Sequence, residues 1–419
     1  MRVVVIGAGL MGLVTAYFLR KSGAEVCVVD RRDSSGRETS FANGGMLHAS
    51  QANPWNTPGI LWAALRMVGR EGSALLVRKH ALPRMVRWGL AFVRNSNPDR
   101  YAANIERNAR LARYSLSVMR ELREAEDLEY DYRPRGTMTI YRTQHELDAA
   151  AEFVTNYAAE GISFQVLDGP GAVSLESALQ PVVGDIVGAM YYPNDEVGDS
   201  FKFCQALQIV CERDGVEFQF DKRVRKLVRQ GEAIVSADTE TRRMRADKFV
   251  LAAGSFSPLL SRSAGLRLPI QPVKGYSITA PIGKWENAPT IPVIDEHLHA
   301  AVCPLGERLR VAGTAEFAGY STVLTKSRID NLFHLLLSLY PEYETFLDPE
   351  MVDRWTGLRP VTPDGVARLG RTTISNLYLN TGHGHLGWTL AAGSGKAVAA
   401  EVMETEPEFE LQDYRLNRR

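Results

Sequence analysis

The stretch RVVVIGAGLMGLVTAYFLRKSGAEVCVVD, residues 2–30, decides the fold. RVVVI reads as a buried strand, residues 10–22 as a helix and EVCVVD as a second buried strand. Two continuous apolar strands around one helix are the mark of a parallel βαβ unit. Between strand and helix lies Gly7-Ala8-Gly9-Leu10-Met11-Gly12, a GxGxxG in the context that motif requires. Gly7 permits the tight turn, Gly9 lets the backbone approach a pyrophosphate, and Gly12 lets the helix pack closely on the strand. Asp30 ends the second strand and can accept hydrogen bonds from ribose hydroxyls. The motif by itself leaves FAD and NAD both open. Arg31 and Arg32 read as solvated or facing the pyrophosphate, because Asp30 would repel a 2′-phosphate.

Beyond this unit, strands are expected near 136–142, 216–220, 247–254 and 376–380, and helices over 102–127, 145–160, 201–214, 326–339 and 388–403. Residues 224–246 alternate like a meander, 270–317 read as an antiparallel sheet, and GLRPVTPDG (357–365) reads as a loop. Buried parallel-type strands occur at the start, middle and end of the 419 residues. The expected class is therefore α/β: a discontinuous Rossmann-like domain (1–85, 171–265 and 346–419). Into it is inserted a substrate domain (86–170 and 266–345) built on an antiparallel sheet plus helices.

Composition narrows the function. Lys plus Arg and Asp plus Glu are 49 each, so bulk charge gives no reason to expect nucleic-acid binding. Cys27, Cys204, Cys211 and Cys303 lie far apart with no CxxC pair, which suits free thiols in a reducing compartment. The first apolar run is broken by glycines and lacks a small-x-small cleavage site, so it does not read as a signal peptide. No stretch reaches the roughly 18 apolar residues of a membrane span. The expected location is cytoplasmic, with peripheral contact at the inner face of the cell membrane. Residues 59–94 carry that contact: Arg66, Arg70, Arg78, Lys79, Arg84, Arg87 and Arg94 stand against Glu71 alone, interleaved with Trp62, Trp88 and aliphatics. The same pattern also fits ordinary helices covering a core.

A second match, Gly382-His383-Gly384-His385-Leu386-Gly387, also lies between strand and helix. No further strand with an acid follows, so the βαβ unit is incomplete and the loop is expected to close over the first cofactor. His297-x-His299, His383-x-His385 and Cys303 complete no metal ligand set. Arg359 suits a substrate carboxylate through its bidentate fork, or a structural role. Tyr276 is a candidate wall of the same pocket, or a sheet-core aromatic.

Five segments in order, VVVIGAGLMG, ETSFANGGML, VLAAG, GLRPVTPDG and TGHGHLGW, resemble FAD-dependent amine dehydrogenases and oxidases of the D-amino-acid-oxidase superfamily. Within it the chain is most similar to the small-subunit type of bacterial D-amino-acid dehydrogenase. The resemblance implies that Gly7, Gly9, Leu10, Met11, Gly12, Asp30, Arg31 and Arg32 hold the ADP half of FAD. It places Ser40, Asn43, Gly44, Gly45 and Met46 along flavin and pyrophosphate, Val224 against adenine, and Ala252, Ala253 and Gly254 at the nucleotide end. Gly357, Leu358 and the run Gly382, His383, Gly384, His385, Leu386, Gly387, Trp388 and Thr389 fall beside the isoalloxazine. Arg359 falls where relatives bind the substrate carboxylate, with Tyr276 and His48 as further catalytic candidates. Gly357 stands where some sarcosine-oxidising relatives carry a flavin-tethering cysteine, so the FAD is expected to be non-covalent. The implied reaction is oxidation of an amino acid at Cα, with hydride to flavin N5 and hydrolysis of the imine to a 2-oxo acid and ammonia. Electrons then pass to a quinone-type acceptor. His48, Gln51 and Asn53 depart from the alanine-type pattern, which leaves a cyclic imino acid such as D-hydroxyproline or proline as an alternative. An oxygen-using glycine or sarcosine type of oxidase is another.

Overall fold

A computed structural model describes residues 1–60, 75–157, 162–298 and 300–418. Its strands are β1 (Arg2–Ile6), β2 (Glu25–Val29), β3 (Met46–Leu47), β4 (Leu75–Val77), β5 (Thr137–Tyr141), β6 (Gln165–Asp168), β7 (Gly188–Tyr192), β8 (Glu196–Val197), β9 (Glu217–Gln219) and β10 (Lys226–Gln230). They continue with β11 (Ala233–Asp238), β12 (Arg243–Met244), β13 (Lys248–Leu251), β14 (Gln271–Pro281), β15 (Val293–Asp295), β16 (Ala300–Leu305), β17 (Arg308–Phe317), β18 (Asp353–Val361), β19 (Arg368–Arg371) and β20 (Leu377–Thr381). The helices that matter here are α1 (Leu10–Lys21), α2 (Leu82–Arg94), α3 (Pro98–Glu126), α4 (Gln144–Tyr157), α5 (Gly169–Leu175), α6 (Ser200–Arg213), α7 (Ser257–Ser263), α8 (Lys326–Leu339) and α9 (Gly387–Met403).

One sheet has the order β19-β20-β13-β1-β2-β9, with β1 parallel to both β2 and β13. Its strands come from the beginning, middle and end of the chain, which makes the Rossmann-like unit discontinuous. β1 is apolar on both faces because both are covered. Val3 and Val5 pack toward α1, α3, α6 and α9, and Val4 and Ile6 toward the three-stranded meander β10-β11-β12. α9 is buried nearly all round, and small residues let its neighbours approach. A methyl group on Gly395 would press on Val14 of α1, and one on Gly393 on Ser115 of α3.

The second sheet runs β18-β14-β17-β16-β15-β5-β7-β6, with β4 added alongside β17. It is antiparallel except at β15–β5 and β17–β4. α8 packs on one face through Ile329, Leu332 and Leu336, against Tyr276, Ile278 and Val302. The two-residue strands β3 and β8 pair between the two sheets. Sheet membership does not follow the segment division expected from the sequence, because β4, β7 and β18 join the nine-stranded sheet.

GLRPV is not a loop. It is the second half of β18, paired antiparallel with β14 so that Arg359 lies opposite Val273. β18 is an edge strand, where Pro360 can sit without interrupting a ladder on its outer side.

Candidate active site

The GxGxxG turn connects β1 to α1, and its glycines answer to different demands. Gly7 has φ +114°, and a methyl group there would come within 2.6 Å of the Ala252 carbonyl oxygen. A methyl group on Gly12 would overlap the Gly7 carbonyl. A methyl group on Gly9 meets only Ser40 Oγ, at 3.3 Å. Gly7 and Gly12 are thus fixed by the chain's own packing, whereas the space above Gly9 is kept for something else. Ser40 Oγ accepts from the Leu10 N–H at 3.2 Å, at the positive end of α1.

A cavity of about 340 Å³ opens there. Its walls include Gly7, Gly9, Leu10, Met11, Asp30, Arg31, Ser40, Asn43, Val224 and Ala252 to Gly254. Further along it is bounded by Arg359, His383, Gly384, His385, Gly387 and Trp388. Asp30 Oδ2 accepts from the Ala8 N–H at 2.7 Å and Oδ1 from the Arg32 N–H at 2.9 Å, and burial pushes its pKa up. Arg31 and Arg32 both bond to Glu38 Oε1, and Arg31 also lies 3.8 Å from the Phe256 ring centroid. Arg32 is not among the cavity walls. Glycines at the turn, an acid at the end of β2 and a helix N-terminus suit an adenine dinucleotide.

The loop after residue 39 is held by distant partners. Ser277 Oγ donates to the Ala42 carbonyl at 3.0 Å, and Arg310 Nη1 to the Asn43 carbonyl at 3.0 Å. Asn43 Oδ1 accepts from the Gly45 N–H at 2.9 Å. Leu358 lends its carbonyl to Thr39 and Ser255, and Thr389 Oγ1 accepts from the His48 N–H at 3.1 Å. Gly12, Arg32, Leu358, Gly382, Leu386 and Thr389 therefore support the walls from behind. Thr39, Phe256, Arg310 and Trp55 belong to the site without having stood out in the sequence.

A second cavity, of about 1280 Å³, shares Asn43, Arg359, His385 and Trp388 with the first. Gly44, Gly45, Met46, His48, Gln51, Asn53, Trp55, Gly275, Thr314 and Gly357 also line it. Arg359 stands where the two meet. Its guanidinium lies over Gly275, where any side chain would overlap it. Nη1 donates to the Thr314 carbonyl at 3.2 Å. Thr314, at φ +56°, is the extra residue of a bulge between β14 and β17 that aims this carbonyl. Among the described residues no carboxylate pairs with Arg359, and burial lowers its pKa to about 10. An unpaired, desolvated guanidinium is an anion site.

The histidines here are neutral. Burial pushes His48 down to about 4, and its Nδ1 has no partner. His383 bonds Ser394 Oγ at 3.0 Å and is pushed down to about 3. His385 stacks on Trp55 at 5.1 Å, and burial, His48 and Arg359 all lower its pKa. Tyr276 borders the second cavity, but its hydroxyl donates to Glu316 Oε2 at 2.5 Å and approaches Thr325 Oγ1 at 3.1 Å. Burial and Glu316 raise its pKa, and Tyr276 stands as a wall of the second cavity with its hydroxyl engaged. Among the described residues no cluster of three or more His, Cys, Asp or Glu is placed to hold a metal.

The basic 59–94 segment is only partly seen, since residues 61–74, with Trp62, Arg66 and Arg70, lie outside the described residues. Trp88 turns inward and donates to the Val361 carbonyl at 3.1 Å. The exposed apolar residues of α2 are Leu82, Val86, Leu90 and Val93, one helical stripe at the edge of the second cavity. No described helix is long and apolar enough to cross a membrane.

A model of the FAD dependent oxidoreductase family matches residues 2–401. The chain is 40% identical over 418 residues to a D-amino acid dehydrogenase of Rhizorhabdus wittichii, covering all of both chains. It is 41% identical to one of Cereibacter sphaeroides, covering all of this chain and 95% of the relative. Among solved structures, glycine oxidase from Geobacillus kaustophilus superposes with a TM-score of 0.79 at 22% identity, covering 100% of this chain and 99% of the other. L-proline dehydrogenase from P. horikoshii does so at 0.76 and 16%, covering 100% and 97%. At these identities the superpositions speak to the fold.

Proposed function

The chain belongs to the FAD-dependent oxidoreductase family, and from that premise we propose that it oxidises the Cα–N bond of a D-amino acid. The product is the imino acid, which water converts to a 2-oxo acid and ammonia. Bound FAD supplies the two-electron acceptor. The observation that carries the reading is Arg359, a desolvated cation with no carboxylate partner among the described residues, at the join of the dinucleotide cavity and the second cavity. Full-length relatives at about 40% identity that are D-amino acid dehydrogenases support it.

Each neighbouring group then has a task. Arg359 binds the substrate carboxylate and, held over Gly275 by the Thr314 carbonyl, fixes the direction in which Cα points. His48 stays neutral at pH 7 and lines the second cavity without adding charge beside Arg359. Gly387 and Trp388 begin α9 on the cavity wall, so the positive end of that helix favours negative charge on the ring system. With no free acid–base side chain at Tyr276, the substrate amine enters unprotonated.

Electrons leave to a quinone-type acceptor. The apolar stripe of α2, with Lys79, Arg87 and Arg94 nearby in sequence, supports contact with the membrane that holds such acceptors. Steady-state turnover of D-amino acids in air, with and without a soluble quinone, is the test. Quinone-dependent turnover without stoichiometric peroxide is expected. Peroxide formed at the full turnover rate would make the protein an oxidase instead.

A further inference from the structure

Six residues from Asp195 to Ser200, the first residue of α6, in the run NDEVGDS, reach several parts of the site. Gly198 N–H donates to the Gly45 carbonyl at 2.8 Å, Ser200 Oγ donates to the Ser40 carbonyl at 2.8 Å, and β8 pairs with β3. The Gly198 carbonyl accepts from Trp388 Nε1 at 3.0 Å. These contacts serve the cofactor loop. Asp195, one residue before β8, serves a different one. Its Oδ2 accepts from Ser50 Oγ at 2.5 Å and from Thr137 Oγ1 at 2.6 Å, while its carbonyl accepts from the Gly136 N–H at 3.0 Å.

Ser50 lies between His48 and Gln51, both of which line the second cavity. Gln51 Nε2 donates to Thr139 Oγ1 on β5 at 2.8 Å. The loop is thus tied to β5 twice, once directly through Gln51 and once through the Asp195 carboxylate. Asp195 itself lines neither cavity. It is 4% exposed, and among the described residues no Lys or Arg forms an ion pair with it. The adjacent Glu196 has Arg123 and Arg120 at 3.3 and 3.9 Å instead. Burial without a cation pushes the Asp195 pKa up to about 7. A carboxyl group in such a place is unfavourable unless its hydrogen bonds compensate, and those bonds go to the loop and to β5.

We propose that Asp195 is a positioning residue for the amino-acid substrate, holding the 48–53 loop through Ser50 so that His48 and Gln51 face it. The inference rests on the second cavity being the substrate site. Its consequence is a division of effects: substrate binding depends on Asp195, and FAD binding and the reacting geometry at Arg359 do not.

The test uses purified holoenzyme with a D-amino acid that reduces the wild-type flavin and a soluble dye as acceptor. Asp195→Ala should raise KM about ten- to hundredfold, the loss expected when the two hydrogen bonds of a buried carboxyl group are removed. Its kcat should stay within about threefold and its FAD content unchanged. Asp195→Asn should recover most of the affinity, because its amide oxygen can still accept from both hydroxyls. Ser50→Ala should shift KM in the same direction, and Ser50→Ala/Asp195→Ala should be no worse than Asp195→Ala alone. A wild-type KM in Asp195→Ala, or loss of FAD together with a parallel fall in kcat in every variant, would overturn the assignment. If Asp195→Ala does not fold, Ser50→Ala decides, and a wild-type KM there overturns it equally. A wild-type enzyme reduced by no D-amino acid would instead strike the substrate reading, and this inference with it.

Discussion

Arg359 is a desolvated cation whose guanidinium meets the Thr314 carbonyl and, at 5.9 Å, the Trp55 ring centroid. Removing one partner of a buried pair typically costs about 3–5 kcal/mol, so Arg359→Ala should lower kcat/KM for amino acids by two to four powers of ten. Arg359→Lys should recover part, since an ammonium cannot reproduce the fork. FAD content should survive both; full activity in Arg359→Ala would move the anchor elsewhere. The arginine was legible from residue type and neighbours, but its setting was not. Nothing in RLRVAGTAEF announces that Thr314 turns to φ +56° and aims a carbonyl at it. The same holds for Tyr276: nothing in PVKGYSIT announces that Glu316, on the neighbouring strand, takes its hydroxyl. The histidines give a pH signature. His383 is 3% exposed, with a pKa near 3 in the fold against about 6.5 unfolded. The unfolded chain therefore takes up the proton first. Stability is fully held above pH 6.5 and is lost as pH falls from there toward 3, by up to about 1.4 kcal/mol per pH unit for this residue. His383→Asn should flatten the fall of the thermal midpoint between pH 7 and 5, and an identical slope would contradict the assignment.

Among elements, the first βαβ unit was legible because local and global signals agree: apolar strands, glycines at the turn and an acid at the end of β2. The glycines can be separated by experiment. Gly9→Ala meets only Ser40 Oγ at 3.3 Å, so the apo-protein should fold with its melting point nearly unchanged but bind FAD weakly. Gly12→Ala overlaps the Gly7 carbonyl and should lower the stability of the apo-protein itself. Equal melting points for the two apo-variants would refute the distinction. β18 escaped the sequence because Gly357 and Pro360 speak for a loop, and only its place at the edge of the sheet makes that proline acceptable. α2 was ambiguous because it is apolar on two sides. Met85 and Trp88 pack inward, while Leu82, Val86, Leu90 and Val93 remain outside, and amphipathic pattern alone does not say which side meets the core. With the inward side occupied, Val86→Glu/Leu90→Glu should leave the fold and the FAD content intact and reduce binding to anionic vesicles at low salt. Wild-type protein that never binds such vesicles would remove α2 as a membrane contact.

At the scale of the whole molecule, a discontinuous sheet brings the first and last thirds of the chain to one cavity. The nine-stranded sheet sets Arg359 at its border with a second one. The discontinuity could be read from where the buried strands fall. The membership of β4, β7 and β18 could not, since pairing with strands distant in the sequence leaves no local trace. On the proposed reading, the link of the two cavities through Arg359 turns a dinucleotide-binding fold into an amino-acid oxidant, and it also makes the claim simple to test. The purified holoenzyme, held anaerobic without any acceptor, is mixed with a panel of D- and L-amino acids while the flavin absorbance is followed. The account predicts bleaching by D-amino acids, none by their L-enantiomers, and strongly weakened bleaching in Arg359→Ala that still carries its FAD. Bleaching by L-amino acids alone, or by none of the panel, would contradict it.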